Sequence, residues 1–409
     1  MMETTRTELS EVIDDIAAGP FGSNLKVSCF VEYGFPIIDG ANLKGYKVTD
    51  NVTKFVTEEK ARSLHRSIAK RGDVVVTISG TLGQVAYIPE DSQFEEYLCS
   101  QRQFRVTFNT DRIYPPYIVF YLHTWEGQHK ILAFANQTGV PALSQPLKNF
   151  KKIIVDLPSL EEQKKIASYC EILNDKIDEN ERINKNLLQQ AQSLYQSWFV
   201  DYEPFGGDRP SDWTDDTIED LAKEIICGKT PSTKVPEYYG SDIPFITIPD
   251  MHGNTYAVTT ERYLSTYGAE SQRKKMLPRN SICVSCIGTA GLVTLTAQES
   301  QTNQQINSII PKEGYSPYYI YLLMQTLSVI INNLGQSGST IVNLNKAQFG
   351  KIPVTIPSVA TMKSFDEIAK PMFDAILSNQ EENIKLAELR DSLLPRLMSG
   401  DLDVSGIDL

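Results

Sequence analysis

The chain has 409 residues, of which 41% are apolar, and a formal net charge of −12. This length and composition indicate a globular protein with two or three domains. The most apolar stretch, YYIYLLMQTLSVII from Tyr318, is too short and interrupted to cross a bilayer, and the amino terminus lacks a secretory signal pattern. We therefore expect a cytoplasmic protein.

The predicted elements follow one another in two rounds. Residues 1–157 contain short β-rich runs broken by glycine turns, such as GDVVVTI from Gly72, and a short apolar helix after YPPY at Tyr114. Residues 158–204 form a long helix. Residues 205–360 repeat the β-rich pattern, with NSICVSCI from Asn280 and a short helix after YSPY at Tyr315, and residues 361–409 form a second long helix and a tail. Each long helix covers about 40 residues, or roughly 60 Å.

The two rounds are copies of one unit. LPS at Leu157 returns as IPS at Ile356, 199 residues later, and each opens a long helical pattern. Upstream, VTISGTLGQVAYI from Val76 parallels VSCIGTAGLVTLT from Val284, and PPYIVFYL from Pro115 parallels SPYYIYLL from Ser316. The sequence therefore predicts an α+β fold made by tandem duplication of a globular α/β domain followed by a long helix.

Both long helices carry a seam of period 3.5, apolar at each end with an Asn pair in the middle. The seam residues of the two helices are Ile166, Leu173, Ile177, Asn180, Asn184, Leu187, Leu194 and Trp198, and Phe365, Met372, Ile376, Asn379, Asn383, Leu386, Leu393 and Leu397. Such a period is typical of coiled coils, in which Asn fixes register and partner. Because a globular domain separates the helices along the chain, they can pair only as an antiparallel coiled coil, with one globular half at each end.

The net charge does not exclude nucleic acid as a ligand. The two helical segments, 158–204 and 361–409, carry −4 and −5, whereas the globular segments are close to neutral. These segments contain basic clusters near Arg66 and Lys274. Phosphate binding needs a local basic face rather than a basic total, although any one cluster also fits an ordinary solvated surface.

The cysteines do not predict a metal site. Of six cysteines only Cys283 and Cys286 are close in sequence, and none of the four histidines is suitably spaced to complete a zinc site. We expect reduced thiols in a buried strand, no metal and no cofactor.

Several segments together resemble one known family. They are LPSLEEQKKIASYCEILNDKIDENERINKNLLQQAQSLYQSWFVDYEPF from Leu157, LAELRDSLLPRLMSGDLDV from Leu386, the duplicated GT-x-G turns at Gly80 and Gly288, and GSTIVNLNKAQFGKIPVTIPS from Gly338. This combination resembles the specificity subunit of type I restriction-modification systems along the whole chain. The second helix departs from the family pattern at its start, where SVATMKSFDEI replaces an opening like PLEEQ.

The resemblance implies a non-catalytic DNA-binding adaptor. Residues 1–157 and 205–360 would be target recognition domains, each reading one half of a bipartite site in double-stranded DNA. The helices in 158–204 and 361–409 would set the unread spacer and dock methylation subunits, with two expected. Restriction subunits would join them to form the nuclease, and no membrane partner is implied.

Candidate DNA-binding residues are polar residues of the glycine turns, polar strings after them, and nearby cations. In the first half they are Ser79, Thr81, Gln84, Gln101, Arg102 and Gln103, with the cations Arg62, Arg66, Lys70 and Arg71. In the second half they are Thr289, Asn303, Gln304 and Gln305, with Arg273, Lys274, Lys275 and Arg279. For Gly80, Gly83, Gly288 and Gly291, a hairpin turn with positive φ is a stronger explanation than close approach to DNA.

Enzyme motifs are incomplete. YPPY has Tyr114 where an amino-methyltransferase needs Asn or Asp, and CGKTPST from Cys227 has Lys223 where a phosphate loop needs glycine. The histidines and acids form no triad above chance. The alternative to a DNA-binding subunit is a scaffold protein whose globular halves bind protein or carbohydrate.

Overall fold

The computed structural model describes residues 3–136, 140–335 and 343–402. It divides into two compact units, unit 1 (Met1–Asp175 with Leu386–Leu409) and unit 2 (Lys176–Lys385). Each unit mixes helices with antiparallel and parallel strands, and each contains part of both long helices. The predicted α+β fold is confirmed.

Unit 1 is built from short strands and helices followed by the start of a long helix. Its strands are β1 Thr5–Glu8, β2 Ile13–Ala18, β3 Phe30–Val31, β4 Phe35–Ile38, β5 Phe55–Val56, β6 Ile68–Lys70, β7 Val74–Thr77, β8 Val85–Tyr87, β9 Glu96–Cys99, β10 Gln103–Phe108, β11 Ala135–Asn136, β12 Ala142–Leu143 and β13 Ile154–Leu157. Its helices are α1 Glu58–Ser63, α2 Pro115–His123, α3 Trp125–Leu132, α4 Pro146–Lys151 and the beginning of α5 Leu160–Phe199.

Two main sheets organise unit 1. One has the strand order β2-β10-β7-β8 and is antiparallel, and the other has the order β3-β5-β4-β9-β6, in which β4 and β9 run parallel. The strands β1 and β13 pair separately. The β-rich run GDVVVTI contains β7, whose four residues are all buried. The predicted apolar helix is α2, which has proline in its first turn.

Unit 2 repeats this series of elements. Its strands are β14 Thr214–Thr217, β15 Ala222–Cys227, β16 Tyr239–Gly240, β17 Ile243–Ile246, β18 Tyr256–Ala257, β19 Tyr263–Leu264, β20 Ile282–Ser285, β21 Val293–Thr296, β22 Gln301–Thr302, β23 Ile306–Pro311 and β24 Pro353–Ile356. Its helices are the rest of α5, then α6 Ile218–Leu221, α7 Ile248–Met251, α8 Thr266–Glu270, α9 Pro317–Thr326, α10 Ser328–Gly335, α11 Lys346–Gly350 and most of α12 Val359–Met398.

The sheets of unit 2 repeat most of the strand order of unit 1. The order β15-β23-β20-β21 repeats β2-β10-β7-β8, and the pair β14-β24 repeats β1-β13. An irregularity in the strand register recurs as well. It follows Thr107 in the β2–β10 pair of unit 1 and Ala222 in the β15–β23 pair of unit 2. The predicted duplication is confirmed at the level of topology.

The long helices pair antiparallel in both units. In unit 2 the carboxamide of Asn180 donates to Asn383 (2.8 Å), while Asn184, one turn later on α5, accepts from Asn379 (2.8 Å), one turn earlier on α12. In unit 1, α12 joins the core that contains Ile166 of α5 through its buried residue Leu397. The predicted antiparallel pairing is confirmed.

None of the predicted seam side chains is exposed. Those of Ile166, Asn180, Phe365, Ile376 and Leu397 are buried, and those of Leu173, Ile177, Asn184, Leu187, Leu194, Trp198, Met372, Asn379, Asn383, Leu386 and Leu393 are half-buried. The predicted seam therefore faces the interior of the protein in each unit.

Candidate nucleic-acid interface

The turn between β7 and β8 is a hairpin turn that requires glycine at two places. Gly80 and Gly83 have φ of +98° and +86°, a region that side chains with a Cβ rarely adopt. A Cβ on Gly83 would lie only 2.2 Å from Oε1 of Gln128, whose Nε2 donates to the Gly83 carbonyl (2.9 Å). The predicted positive φ values are confirmed, and they shape a turn that stands beside a cleft.

The other wall of that cleft is the loop between β9 and β10. The amide of Ile78 in the turn donates to the Arg102 carbonyl (2.7 Å), which fixes the loop against the turn. The cleft has a volume of about 580 Å³ and brings together six of the predicted residues. These six are Ser79, Thr81, Gln84, Gln101, Arg102 and Gln103.

Only some of these six side chains are free to meet a ligand. Thr81, Gln101 and Arg102 are exposed, and the Arg102 guanidinium makes no hydrogen bond or ion pair with any residue that the structure describes. Gln84 instead links strand β7 to the loop after β4, since it accepts from the Thr77 hydroxyl (3.0 Å) and donates to the Gly40 carbonyl (3.0 Å).

Gln103 is not placed to read a base in this structure. Its side chain is 1% exposed, and its Oε1 accepts from the Ser100 hydroxyl at the base of the loop. Gln103 and Gln84 therefore hold the cleft walls in position, while Thr81, Gln101 and Arg102 face its opening.

The cleft also contains two charged residues that the sequence did not point to. Lys54 forms an ion pair with Asp39 (2.6 Å), and Asp39 also accepts from the Ala41 amide (2.9 Å). Burial opposes ionisation of Asp39, yet these hydrogen bonds hold its pKa below the usual value. The carboxylate therefore stays ionised, and its charge is balanced by that of Lys54.

The basic cluster around Arg66 lies outside this cleft, on α1 and β6 and the turns that flank β6. Arg62 pairs with Glu58 (2.8 Å) and Glu96 (2.5 Å), and Lys70 pairs with Glu96 (3.4 Å). Arg71 donates to the Ser92 carbonyl (2.6 Å). Of the four candidate cations here, Arg66 alone has a side chain with no ion pair or hydrogen bond to a described residue.

Unit 2 has the same turn and loop. Gly288 and Gly291 have φ of +78° and +88°, and the Cys286 amide donates to the Gln305 carbonyl (2.8 Å). Thr289 and Gln304 are exposed and Gln305 is half-buried. The Thr230 hydroxyl donates to Oε1 of Gln304 (2.7 Å), so the loop between β15 and β16 also supports this surface.

Asn303 differs from the other candidates of unit 2, because its side chain is only 7% exposed. Its Oδ1 accepts from the Gln305 amide (3.0 Å), and its Nδ2 donates to Oε1 of Gln305 (3.0 Å). Asn303 therefore orients Gln305. This role could not be predicted from the sequence, because neighbouring polar residues are alike until the loop is folded.

The second basic cluster lies between α8 and β20. Arg273 pairs with Glu270 (3.4 Å), and Lys275 donates to the Cys227 carbonyl (2.8 Å). Lys274 and Arg279 are exposed, and their side chains have no ion-pair or hydrogen-bond partner among the described residues. Of the four candidate cations in this cluster, these two are the ones free to meet phosphate.

The described residues show no sign of metal or thiol chemistry. No group of His, Cys, Asp or Glu in residues 3–136, 140–335 and 343–402 could hold a metal ion. Burial raises the pKa of the Cys283 and Cys286 thiols to about 12, so both stay protonated. Across the same ranges, each helix is too short or too polar to cross a membrane.

Comparison with known proteins gives one consistent result. The model of the type I restriction modification DNA specificity domain matches the chain twice, at residues 22–189 and 210–388. The chain is 31% identical over 403 residues to the type I restriction enzyme HindI specificity subunit of Haemophilus influenzae, covering 81% of this chain and 87% of that one. It is 22% identical to the MjaIX specificity subunit of Methanocaldococcus jannaschii, covering 85% of this chain and 82% of that one.

A solved structure shows the same fold. The crystal structure of the type I restriction-modification system S subunit from M. genitalium matches with a TM-score of 0.59 and 14% identity, covering 97% of this chain and 96% of that one. The family model covers most of the chain in two copies, and the two copies fall on the two halves of the sequence repeat. The chain therefore belongs to the family of type I restriction-modification DNA specificity subunits.

Proposed function

We propose that this chain recognises a bipartite DNA site for a type I restriction-modification complex and has no catalytic activity of its own. Residues 1–157 and 205–360 act as the two target recognition domains. The observation that carries the proposal is the recurrence, in both units, of exposed polar side chains on a glycine turn and on the loop hydrogen-bonded to it. Polar groups of this kind read base edges in the grooves of DNA.

Base contacts and phosphate contacts are assigned to different residues. Thr81, Gln101 and Arg102 face the cleft opening in unit 1, and Thr289, Gln304 and Gln305 occupy the same turn and loop in unit 2. The accessible cations outside these loops, Arg66, Lys274 and Arg279, supply phosphate contacts. The cations already paired with carboxylates contribute less, because those ion pairs must be broken first.

The helices in 158–204 and 361–409 set the spacing between the half-sites and dock two methylation subunits, which restriction subunits then join. Two features support this role. The Asn180–Asn383 and Asn184–Asn379 pairs fix a single register, and the exposed helix surface is acidic, which suits docking on a basic protein surface.

The direct test is to map methylated DNA. The chain and its methylation subunits, expressed in a host without other methylation, should produce one bipartite motif with an unread spacer of constant length. Arg102→Ala should then relax specificity at one position in one half-site, whereas Arg66→Ala should weaken methylation of all sites equally. A motif that Arg102→Ala leaves unchanged would remove this residue from the recognition surface.

The spacer role has its own test. Seven residues inserted after Asn184 and seven after Ser378 lie at the same level of the antiparallel pair and preserve the helical phase. They lengthen the helix pair by about 10 Å, or roughly three base pairs. The motif should keep both half-sites and gain a longer spacer, and an unchanged spacer would contradict the proposal.

The alternative, a scaffold that binds protein or carbohydrate, predicts a different salt dependence. Binding of the assembled complex to duplex DNA should weaken steeply with salt, because phosphate contacts release counterions. A flat dependence on salt, or no binding, would favour the scaffold.

A further inference from the structure

Arg102 and Gln305 occupy the same place in the two units. The carbonyl of each accepts from the first amide of its glycine turn, Ile78 in unit 1 (2.7 Å) and Cys286 in unit 2 (2.8 Å). The residue two places earlier in each loop is also held in the same way. In unit 1 the backbone amide of Ser100 donates to the Ile38 carbonyl (2.9 Å), and in unit 2 the backbone amide of Asn303 donates to the Ile246 carbonyl (3.2 Å).

A glycine outside the turn fixes the position of each loop. A Cβ on Gly19 would lie 1.8 Å from the Ser100 carbonyl oxygen, and a Cβ on Gly228 would lie 2.1 Å from that of Asn303. Only glycine fits at such distances, so both loops are pressed against the same part of the fold. The backbones that carry Arg102 and Gln305 are therefore held in the same way.

The two side chains also extend in the same direction. A Cβ on Gly80 would lie 3.7 Å from Nη1 of Arg102, and a Cβ on Gly288 would lie 3.6 Å from Nε2 of Gln305. Each side chain thus reaches over the first glycine of its turn. What differs between the units at this place is the chemistry of the end group.

The end group of Arg102 offers only donors. A guanidinium has five N–H groups and no acceptor. Its position in an open cleft, without a partner among the described residues, leaves these donors free. In the major groove, guanine presents two adjacent acceptors, O6 and N7, whereas adenine presents an amine next to N7. A donor-only group therefore favours guanine.

The end group of Gln305 offers one donor and one acceptor in a fixed orientation. Nδ2 of Asn303 donates to Oε1 of Gln305 (3.0 Å), which sets the direction of the carboxamide and leaves one lone pair on Oε1 and both hydrogens on Nε2. Adenine presents the complementary pair, an N6 donor beside the N7 acceptor.

We infer that the two units read different purines from corresponding positions, with Arg102 selecting guanine in one half-site and Gln305 selecting adenine in the other. This inference rests on the proposed function. It assigns a base to each residue and predicts that exchanging the two end groups exchanges the bases.

The test is a pair of swaps in the complex with its methylation subunits, followed by mapping of methylated DNA. Arg102→Gln should change one guanine of one half-site to adenine and leave the other half-site intact. Gln305→Arg should change one adenine of the other half-site to guanine. Arg66→Gln, which alters an exposed arginine outside the cleft, should change neither base.

A binding measurement tests the inference even if one of the swaps abolishes methylation. Binding of the purified complex is compared on four duplexes that differ only at the assigned position. The parent chain should prefer guanine by roughly 5- to 150-fold, and Arg102→Gln should prefer adenine. Equal binding of the four duplexes by the parent chain would overturn the inference, as would a swap that leaves the preferred base unchanged. If the parent chain produces no bipartite motif at all, the proposed function itself fails.

Discussion

The two long helices end with different kinds of side chain. In unit 2, the end of α5 places Tyr195, Trp198 and Phe199 against three further aromatic residues, Trp213, Tyr319 and Phe365. In unit 1, the corresponding residues of α12, 199 places later, are Leu394, Leu397 and Met398, so this helix end brings aliphatic side chains into a mixed core of aliphatic and aromatic residues. The two copies therefore preserve the same helix pairing with different side chains.

A polar difference accompanies this one. Where α12 carries Arg390 in unit 1, α5 carries the fully buried Ala191 in unit 2. Arg390 donates to Asn174 (2.8 Å) on α5 and to Asp391 (2.8 Å), and its guanidinium lies 4.9 Å from the ring centre of Tyr46. Unit 1 thus uses a cation to attach the helix where unit 2 uses close packing.

The largest expected effect tests the aromatic side of this comparison. Phe199 is 7% exposed, and its ring lies 4.7 Å from that of Tyr319 and 5.0 Å from that of Phe365. Phe199→Ala should lower the free energy of unfolding by about 3–5 kcal/mol, because it removes these contacts and leaves a cavity. Denaturant unfolding of the purified chain measures the change.

The matched control for Phe199→Ala is Met398→Ala. Met398 takes the corresponding place in unit 1 and is half-buried, so its truncation should cost about 1–2 kcal/mol. Equal costs for the two substitutions would show that the aromatic side chains at the end of α5 add nothing beyond the aliphatic ones at the end of α12.

The next effect tests the polar side. Arg390→Met keeps most of the side-chain stem but removes the donor to the buried Asn174 and the cation over Tyr46. An acceptor left without a partner and a lost cation–π contact should together cost about 2–3 kcal/mol. Arg396→Met, on an exposed position of the same helix, should change the unfolding free energy by less than about 0.5 kcal/mol. Similar losses for both variants would mean that only charge, and not these contacts, matters.

The Asn pairs give a smaller effect with a characteristic signature. In unit 2, Asn180→Leu leaves Oδ1 of Asn383 without its donor and should cost about 1–2 kcal/mol. The double substitution Asn180→Leu with Asn383→Leu should be more stable than either single variant, because an apolar pair replaces a polar one. A double-mutant cycle measures the coupling, and strictly additive effects would contradict a direct interaction.

Period and repetition made the fold predictable. The 3.5-residue seam of α5 and α12 is a property of the helix alone, and the shared Asn positions imply a partner before any contact is known. The glycine turns were predictable for the same reason, since Gly80 and Gly288 recur in matching strings and their φ values are local. These features depend on residues close together in the sequence.

The candidate site was only partly predictable, because its details depend on distant contacts. The residues next to Lys54 in the sequence do not predict that it pairs with Asp39. This ion pair forms because the backbone of β4 is hydrogen-bonded to Lys54, the residue before β5. Likewise, Gln101, Arg102 and Gln103 are alike as polar residues, yet the turn after β9 buries Gln103 and exposes the other two. The sequence located the loop, and folding selected which of its side chains face the cleft.

The smallest expected effect concerns the junction between the long helix and the short apolar helix in each unit. In unit 1 the junction is neutral, because Gln163 accepts from the Tyr114 amide (2.9 Å) and donates to two carbonyls. In unit 2 the Ser316 hydroxyl donates to the carboxylate of Asp366. Burial raises the pKa of Asp366 to about 6, although the Ser316 hydrogen bond and the Lys370 charge oppose the shift.

This raised pKa makes the stability of unit 2 depend on pH. Between about pH 4 and pH 6 the folded protein holds a proton on Asp366 that the unfolded chain has lost, so the contribution of this group to stability falls as pH rises through that window. Above pH 6 Asp366 is ionised in both states and the folded state bears the cost of burying it.

Asp366→Asn removes this charge and should stabilise the protein at pH 7.5 by about 1 kcal/mol, after allowance for the partial exposure of the carboxyl group. The gain should shrink below pH 4, where the native acid is neutral in both states, and the exposed neighbour substitution Glu367→Gln should show no such dependence. A gain that stays constant from pH 4 to pH 7.5 would show that unit 2 does not bury an ionisable group where unit 1 has a neutral one.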